Sequence, residues 1–179
     1  MYMSSAAPLD HDRKWYTNFI FSISSSVLKI SLNIIPKLNG TMTSRTMSVS
    51  IKRDPKTVYE FVFNLENLPK WANAAFQSIR EQDGEWIVGT PQGSAKVRII
   101  QRNEFGVLDH YVILPSGMEV FVPLRVVKND SGSEVMLTIF QTLDKSEKKF
   151  AEDVDMVERD LKNLKNIMEE DEKGSTTGR

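Results

Sequence analysis

The 179-residue sequence contains no cysteine. That excludes disulfides, thiol nucleophiles, zinc knuckles and thiolate-held iron–sulfur clusters. It has two histidines, His11 and His110, too few for a histidine-rich metal site. No P-loop, dinucleotide glycine fingerprint or HExxH stretch occurs, and the residues point to no cofactor and no metal. Charge of one sign is also lacking. The net charge is −1, so no chain-wide basic field attracts nucleic acid. What remains is a normal balance, 40% hydrophobic and 26% charged, enough for one domain of ordinary size.

The chain divides near residue 46. Residues 1–46 carry five basic groups and two acids, against 18 and 22 in 47–179. The first part is rich in Ser and Thr, and its apolar content lies in WYTNFIFSISSSVLKISLNII, 15–35. Asn18, five serines and Lys29 interrupt that run, so it predicts no membrane span. Residues 1–46 read as an N-terminal extension, disordered or targeting-like, or as sequence upstream of the true start. The expected location is the cytoplasm, with targeting as the alternative if the extension is translated and processed. The polar end, 171–179, reads as a disordered tail.

From residue 47 a two-residue alternation dominates. MSVSIKR, 47–53, reads as a strand. Asp54 and Pro55 then suit a helix cap and first turn, and a second short helical piece follows near 65–73. Turn signals at Asp83-Gly84, Thr90–Gly93, Phe105-Gly106, Pro115–Gly117 and Asn129–Gly132 separate six further strands, near 76–82, 85–90, 94–103, 107–114, 118–128 and 133–142. The turns set registers: 82 with 85, 90 with 93, 114 with 118. The third connection is read as placing Val97, Ile99 and Gln101 beside Leu114, Val112 and His110. The fifth is read as placing Val122 beside Ile139 and Leu124 beside Leu137. One face is then apolar from Ile79 and Trp86 through Val97, Val112 and Val122 to Ile139. The other carries Arg98, Asp109 and Arg125, the last two as a cross-strand ion pair. A helix over 145–170, with Phe150, Val154, Val157, Leu161, Leu164 and Met168 on one stripe, covers the apolar face.

This order resembles the START-like (SRPBCC) helix-grip superfamily over roughly 47–170, and in particular its polyketide cyclase/dehydrase-like branch. The resemblance rests on IKRDPKTVYEFVFNLENLPKW at 51–71, FGVLDHYV at 105–112, VPLRVV at 122–127 and VERDLKNLK at 157–165. It implies an α+β fold: a curved seven-stranded antiparallel sheet wrapped around a long C-terminal helix, with two short helices after the first strand. It also implies a cavity between sheet and helix for a hydrophobic small molecule, lipid-, polyketide- or aromatic-like. No universal catalytic residue comes with it.

The residues expected to meet such a ligand are Trp71, Trp86, Val97, Ile99, Gln101, His110, Val112, Val122, Ile139, Gln141, Val157 and Leu161. His110 is the candidate acid or base, and equally a histidine satisfied by a neighbour such as Gln101. Glu81 and Tyr111 are further polar candidates. Three functions stay open: a hydrophobic-ligand binder, a cyclase/dehydratase-type enzyme using one or two polar groups, and a structural or partner-binding module with a filled core. The expected partner is a small molecule, with no nucleic acid and no integral membrane span, on a monomer or homodimer.

Overall fold

A computed structural model describes residues 41–175, with side chains as far as residue 170. The stretch expected to be an extension therefore lies, through residue 40, outside the described residues, as do 176–179.

The first strand, β1 (Ser44–Ile51), begins three residues ahead of its expected start. Helix α1 (Pro55–Phe63) follows, capped by Asp54, whose carboxylate accepts from the Thr57 amide at 3.0 Å. Pro55 fills the first turn, where a missing N–H costs nothing. A single 3₁₀ turn, Leu65–Asn67, leads into the short α2 (Leu68–Trp71). The strands are β2 (Ser78–Gln82), β3 (Glu85–Thr90), β4 (Gly93–Ile99), β5 (His110–Ile113), β6 (Glu119–Val122), β7 (Leu124–Asn129) and β8 (Gly132–Phe140). Helix α3 (Glu147–Ser175) closes the chain and runs past its expected end at residue 170. Ser146 receives the Lys149 amide on its hydroxyl at 3.3 Å, the cap anticipated there.

The strands form two antiparallel sheets, ordered β1-β8-β7 and β2-β3-β4-β5-β6. There are thus eight strands where seven were expected. The extra one arises at Pro123, which has no N–H to give a ladder and so splits the expected 118–128 strand into β6 and β7. The two sheets still meet along a seam. Leu108 donates to Leu124 O at 2.9 Å, Val126 to Gly106 O at 2.9 Å and Thr138 to Pro123 O at 2.9 Å.

The Asp83-Gly84 turn has both residues at positive φ, +54° and +77°, as a two-residue hairpin turn requires. It pairs Gln82 with Glu85, and the next turn pairs Thr90 with Gly93, both as expected. His110 faces Val122, and Leu124 faces Leu137, also as expected. The third register is corrected: Val97 pairs with Val112 and Ile99 with His110, two residues away from the expected pairing. The cause is that β4 stops at Ile99, and residues 100–109 form a built loop rather than a hairpin end. Asn103 organises that loop, accepting from the amides of Phe105 and Val107 and donating to the carbonyls of Gln101 and Val107. A slip of two preserves face, because side chains alternate with period two. The inner face is therefore the anticipated one. Val122 joins the β5–β6 ladder, and the Thr138–Pro123 bond carries the Leu124–Leu137 register on toward Val122 and Ile139 although no ladder forms there.

Leu161, Leu164 and Met168 on α3 are buried against a core that includes Met47, Ile51, Val58, Val135 and Leu137. Arg98, Tyr111, Phe121 and Glu119 stand on the opposite side of the sheet. There Tyr111 packs on Phe121 at 5.1 Å between ring centroids, and Arg98 lies 5.0 Å over Tyr111. Asp109 and Arg125 form the expected ion pair.

Candidate functional site

Four of the expected residues meet around one internal cavity. Trp71 ends α2, Val97 and Ile99 come from β4, and His110 opens β5. Val62, Leu65, Leu68, Leu108 and Leu124 complete the wall. The volume is about 10 Å³, room for roughly one water molecule. The body of a small molecule does not fit there without movement of the wall.

His110 is buried at 9% exposure, and its Nδ1 lies 3.1 Å from the Leu108 carbonyl. A carbonyl can only accept, so Nδ1 carries the proton and Nε2 keeps its lone pair. Burial holds the imidazole below its usual value of 6.5 against smaller opposite pulls from the Leu108 carbonyl and Asp109. The neutral ring is thus the native form. The expected partner Gln101 is not beside it: Gln101 is exposed in the β4–β5 loop, outside the cavity.

Because the folded pKa is depressed, the native state binds fewer protons than the unfolded chain below about pH 6.5. The stabilising contribution is full above that value and is lost as pH falls through the lowered pKa. Urea unfolding at about pH 7.5 and about pH 5.5 should show wild-type stability dropping over this interval. The drop should be much smaller in His110→Gln. Parallel slopes in the two proteins would remove His110 as the titrating group.

The other expected residues lie along the concave face. Trp86, Val112 and Ile139 point inward yet are only half-buried, as is Val157 on α3, whereas Val122 and Leu161 are fully in the core. Inward-pointing side chains that keep partial exposure mark a face that the helix does not completely cover. At one end of that face, beside the start of α3, a second cavity of about 370 Å³ opens. Gln141 reaches it among Thr43, Arg45, Glu147 and Asp155, with Phe150, Ala151 and Val154 as its apolar part. Its size lies within the usual range for small-molecule sites. Glu81 stands opposite Trp86 but is exposed, and Tyr111 is on the outer face.

Sequence reasoning missed Asp160. It lies in a charged run of α3 that reads as a solvated face, yet it is 3% exposed. Its two carboxylate oxygens accept from the amides of Ala74 and Ala75 at 2.9 and 3.3 Å. Asn163, one turn on, donates to the carbonyls of Lys70 and Trp71 at 2.8 and 3.1 Å. These bonds hold α2 and the loop after it, and hence Trp71, against α3. No sequence signal marks them, since their partners are backbone groups about ninety residues distant.

Among the described residues no group of three or more His, Asp or Glu is placed to hold a metal ion. No helix among them is long and apolar enough to cross a membrane.

No protein-family model and no curated protein matches the sequence. Solved structures do. The chain is similar to the protein XoxI from Bacillus cereus, at 18% identity and TM-score 0.59, over 71% of this chain and 96% of that one. It is similar to an Aha1 dimer from Colwellia psychrerythraea, at 14% identity and TM-score 0.59, over 72% and 97%. It is likewise similar to a START superfamily protein from Mycobacterium smegmatis, at 12% identity and TM-score 0.54, over 71% and 98%. At these identities the likeness is one of fold. Strand order, short helices, long closing helix and structural neighbours together give this chain the START-like helix-grip fold.

Proposed function

We propose that this domain binds a small hydrophobic molecule between the concave face of the sheet and the N-terminal half of α3. The observation that carries the reading is the set of inward-facing, half-buried apolar side chains, Trp86, Val112, Ile139 and Val157, taken with the 370 Å³ cavity beside the start of α3. Apolar surface left open on a concave face is stabilised by a ligand that removes it from water. The START-like resemblance agrees with that use. Binding is favoured over cyclase/dehydratase chemistry because His110 is the one ionisable side chain lining the inner cavity.

An apolar fluorescent probe should bind with micromolar affinity, about −8 kcal/mol. Val157→Trp, which fills the cleft from the helix side, should weaken the probe about tenfold or more while the protein still melts cooperatively. Trp86→Ala should change which probes are preferred more than it changes folding. An unchanged probe affinity in Val157→Trp would place the site elsewhere.

A second reading, a module that engages a protein partner, is favoured by the small volume enclosed in the core. Failure of a broad series of apolar probes to bind at all would select it.

A further inference from the structure

The inner cavity brings together two polar side chains with opposite hydrogen-bonding character. Trp71 is 3% exposed, and its Nε1–H has no hydrogen-bond partner among the described residues. An indole N–H can only donate, and a buried donor without an acceptor is costly. His110 lines the same cavity. Its Nδ1–H is spent on the Leu108 carbonyl, which leaves Nε2 as an acceptor. The other lining side chains, Val62, Leu65, Leu68, Val97, Ile99, Leu108 and Leu124, offer no hydrogen bond. The cavity volume, about 10 Å³, matches one oxygen atom of water size.

We propose that Trp71 Nε1–H and His110 Nε2 form a donor–acceptor pair that receives a single hydroxyl oxygen in this cavity. The oxygen accepts from the indole and donates to the imidazole. A water molecule supplies it in the free domain. In the bound domain the hydroxyl of a neutral, otherwise apolar alcohol or phenol supplies it. This second part rests on the small-molecule reading above. The pair selects against two other chemistries. A carboxylate would bring a buried charge with no cation lining the cavity, and a pure hydrocarbon would leave both polar groups unpaired. The Asp160 and Asn163 bonds to the α2 region give the indole a fixed place, so the donor is pre-positioned.

Two measurements test the pair, and they fail separately. A high-resolution crystal structure of the ligand-free protein should show one ordered water within hydrogen-bonding distance of both Trp71 Nε1 and His110 Nε2. A dry cavity, or an indole N–H bonded elsewhere, would overturn the pair. Titration with 2-naphthol and with its near-isostere 2-methylnaphthalene tests the ligand class. Wild type should prefer the naphthol by about fivefold or more, the usual worth of a net hydrogen bond. Trp71→Phe removes the donor and should abolish that preference. His110→Gln retains an acceptor and should keep part of it, which separates loss of the pair from loss of packing. Equal binding of both probes by wild type would overturn the hydroxyl assignment. Binding of neither would overturn the small-molecule reading and leave the bridged water to be judged by the crystal structure.

Discussion

Gly106→Ala is expected to be the most damaging of the small substitutions considered, lowering stability by about 3–5 kcal/mol. Gly106 has φ +69°, a conformation that costs any other residue about 1 kcal/mol. A Cβ there would also lie 2.0 Å from the Val126 carbonyl oxygen, which is backbone and cannot rotate aside. Either β7 or the 100–109 loop must move. The bonds at risk are those of the seam: Val126 to Gly106, Leu108 to Leu124, and the bridge between Val107 and Arg125. The control is Gly117→Ala. Gly117 also has positive φ, +84°, but an added Cβ meets nothing within 4 Å. It should cost only the conformational term, about 1 kcal/mol. Thermal melts of the two variants should therefore differ by roughly 10 °C. If they melt together, the seam does not hold the two sheets as described.

Asp160→Ala should be nearly as costly, about 2–4 kcal/mol, because it leaves two part-buried amides, those of Ala74 and Ala75, without their acceptor. Asp160→Asn keeps one acceptor oxygen and should lose less. The carboxyl also carries a pH signature. Burial raises its pKa above 3.8, outweighing the pull of the two amides and of Arg159. A raised carboxyl pKa means that the native state holds the proton longer than the unfolded chain. Its stabilising contribution is full below 3.8 and is lost as pH rises through the folded pKa. The asparagine does not titrate, so wild type minus Asp160→Asn stability should shrink with rising pH across that window. A difference that grows instead would mean that the amides govern the ionised form more strongly than burial does.

These two sites show what kind of information the sequence carried. Asp83-Gly84 fixed a register because a two-residue turn leaves the chain one way to fold back. The stripe from Phe150 to Met168 was readable because it repeats over five turns of one helix. The pairing of β4 with β5 was not readable. Ten residues separate the strands, and the loop's shape comes from four hydrogen bonds of Asn103 that no dipeptide signals. Pro123 did carry a signal, since a proline inside a strand argues for a break. Treating 118–128 as one strand passed over it. The inner face is unaffected by either difference, because a slip of two keeps each side chain on its face and the break at Pro123 leaves both Val122 and Leu124 in the core. Of the candidate site, the apolar wall followed from that alternation. Gln101 was misplaced by the register, and Asp160 was hidden by its charged neighbours.

The bonds along α3 are unevenly distributed. Its C-terminal half is tied to the body of the domain by Asp160 and Asn163, by Lys165 donating to the Ser50 carbonyl at 2.6 Å, and by Glu169 receiving the Lys52 amide at 3.0 Å. The N-terminal half, where Phe150 and Val154 border the larger cavity, is tied among the described residues by the Lys145–Asp153 ion pair at its own root, with Val154 and Val157 packed on the core. Apolar contacts are non-directional and re-form after sliding, whereas buried hydrogen bonds do not. The amides of that N-terminal half should therefore exchange with solvent sooner than those around Asp160 and Asn163.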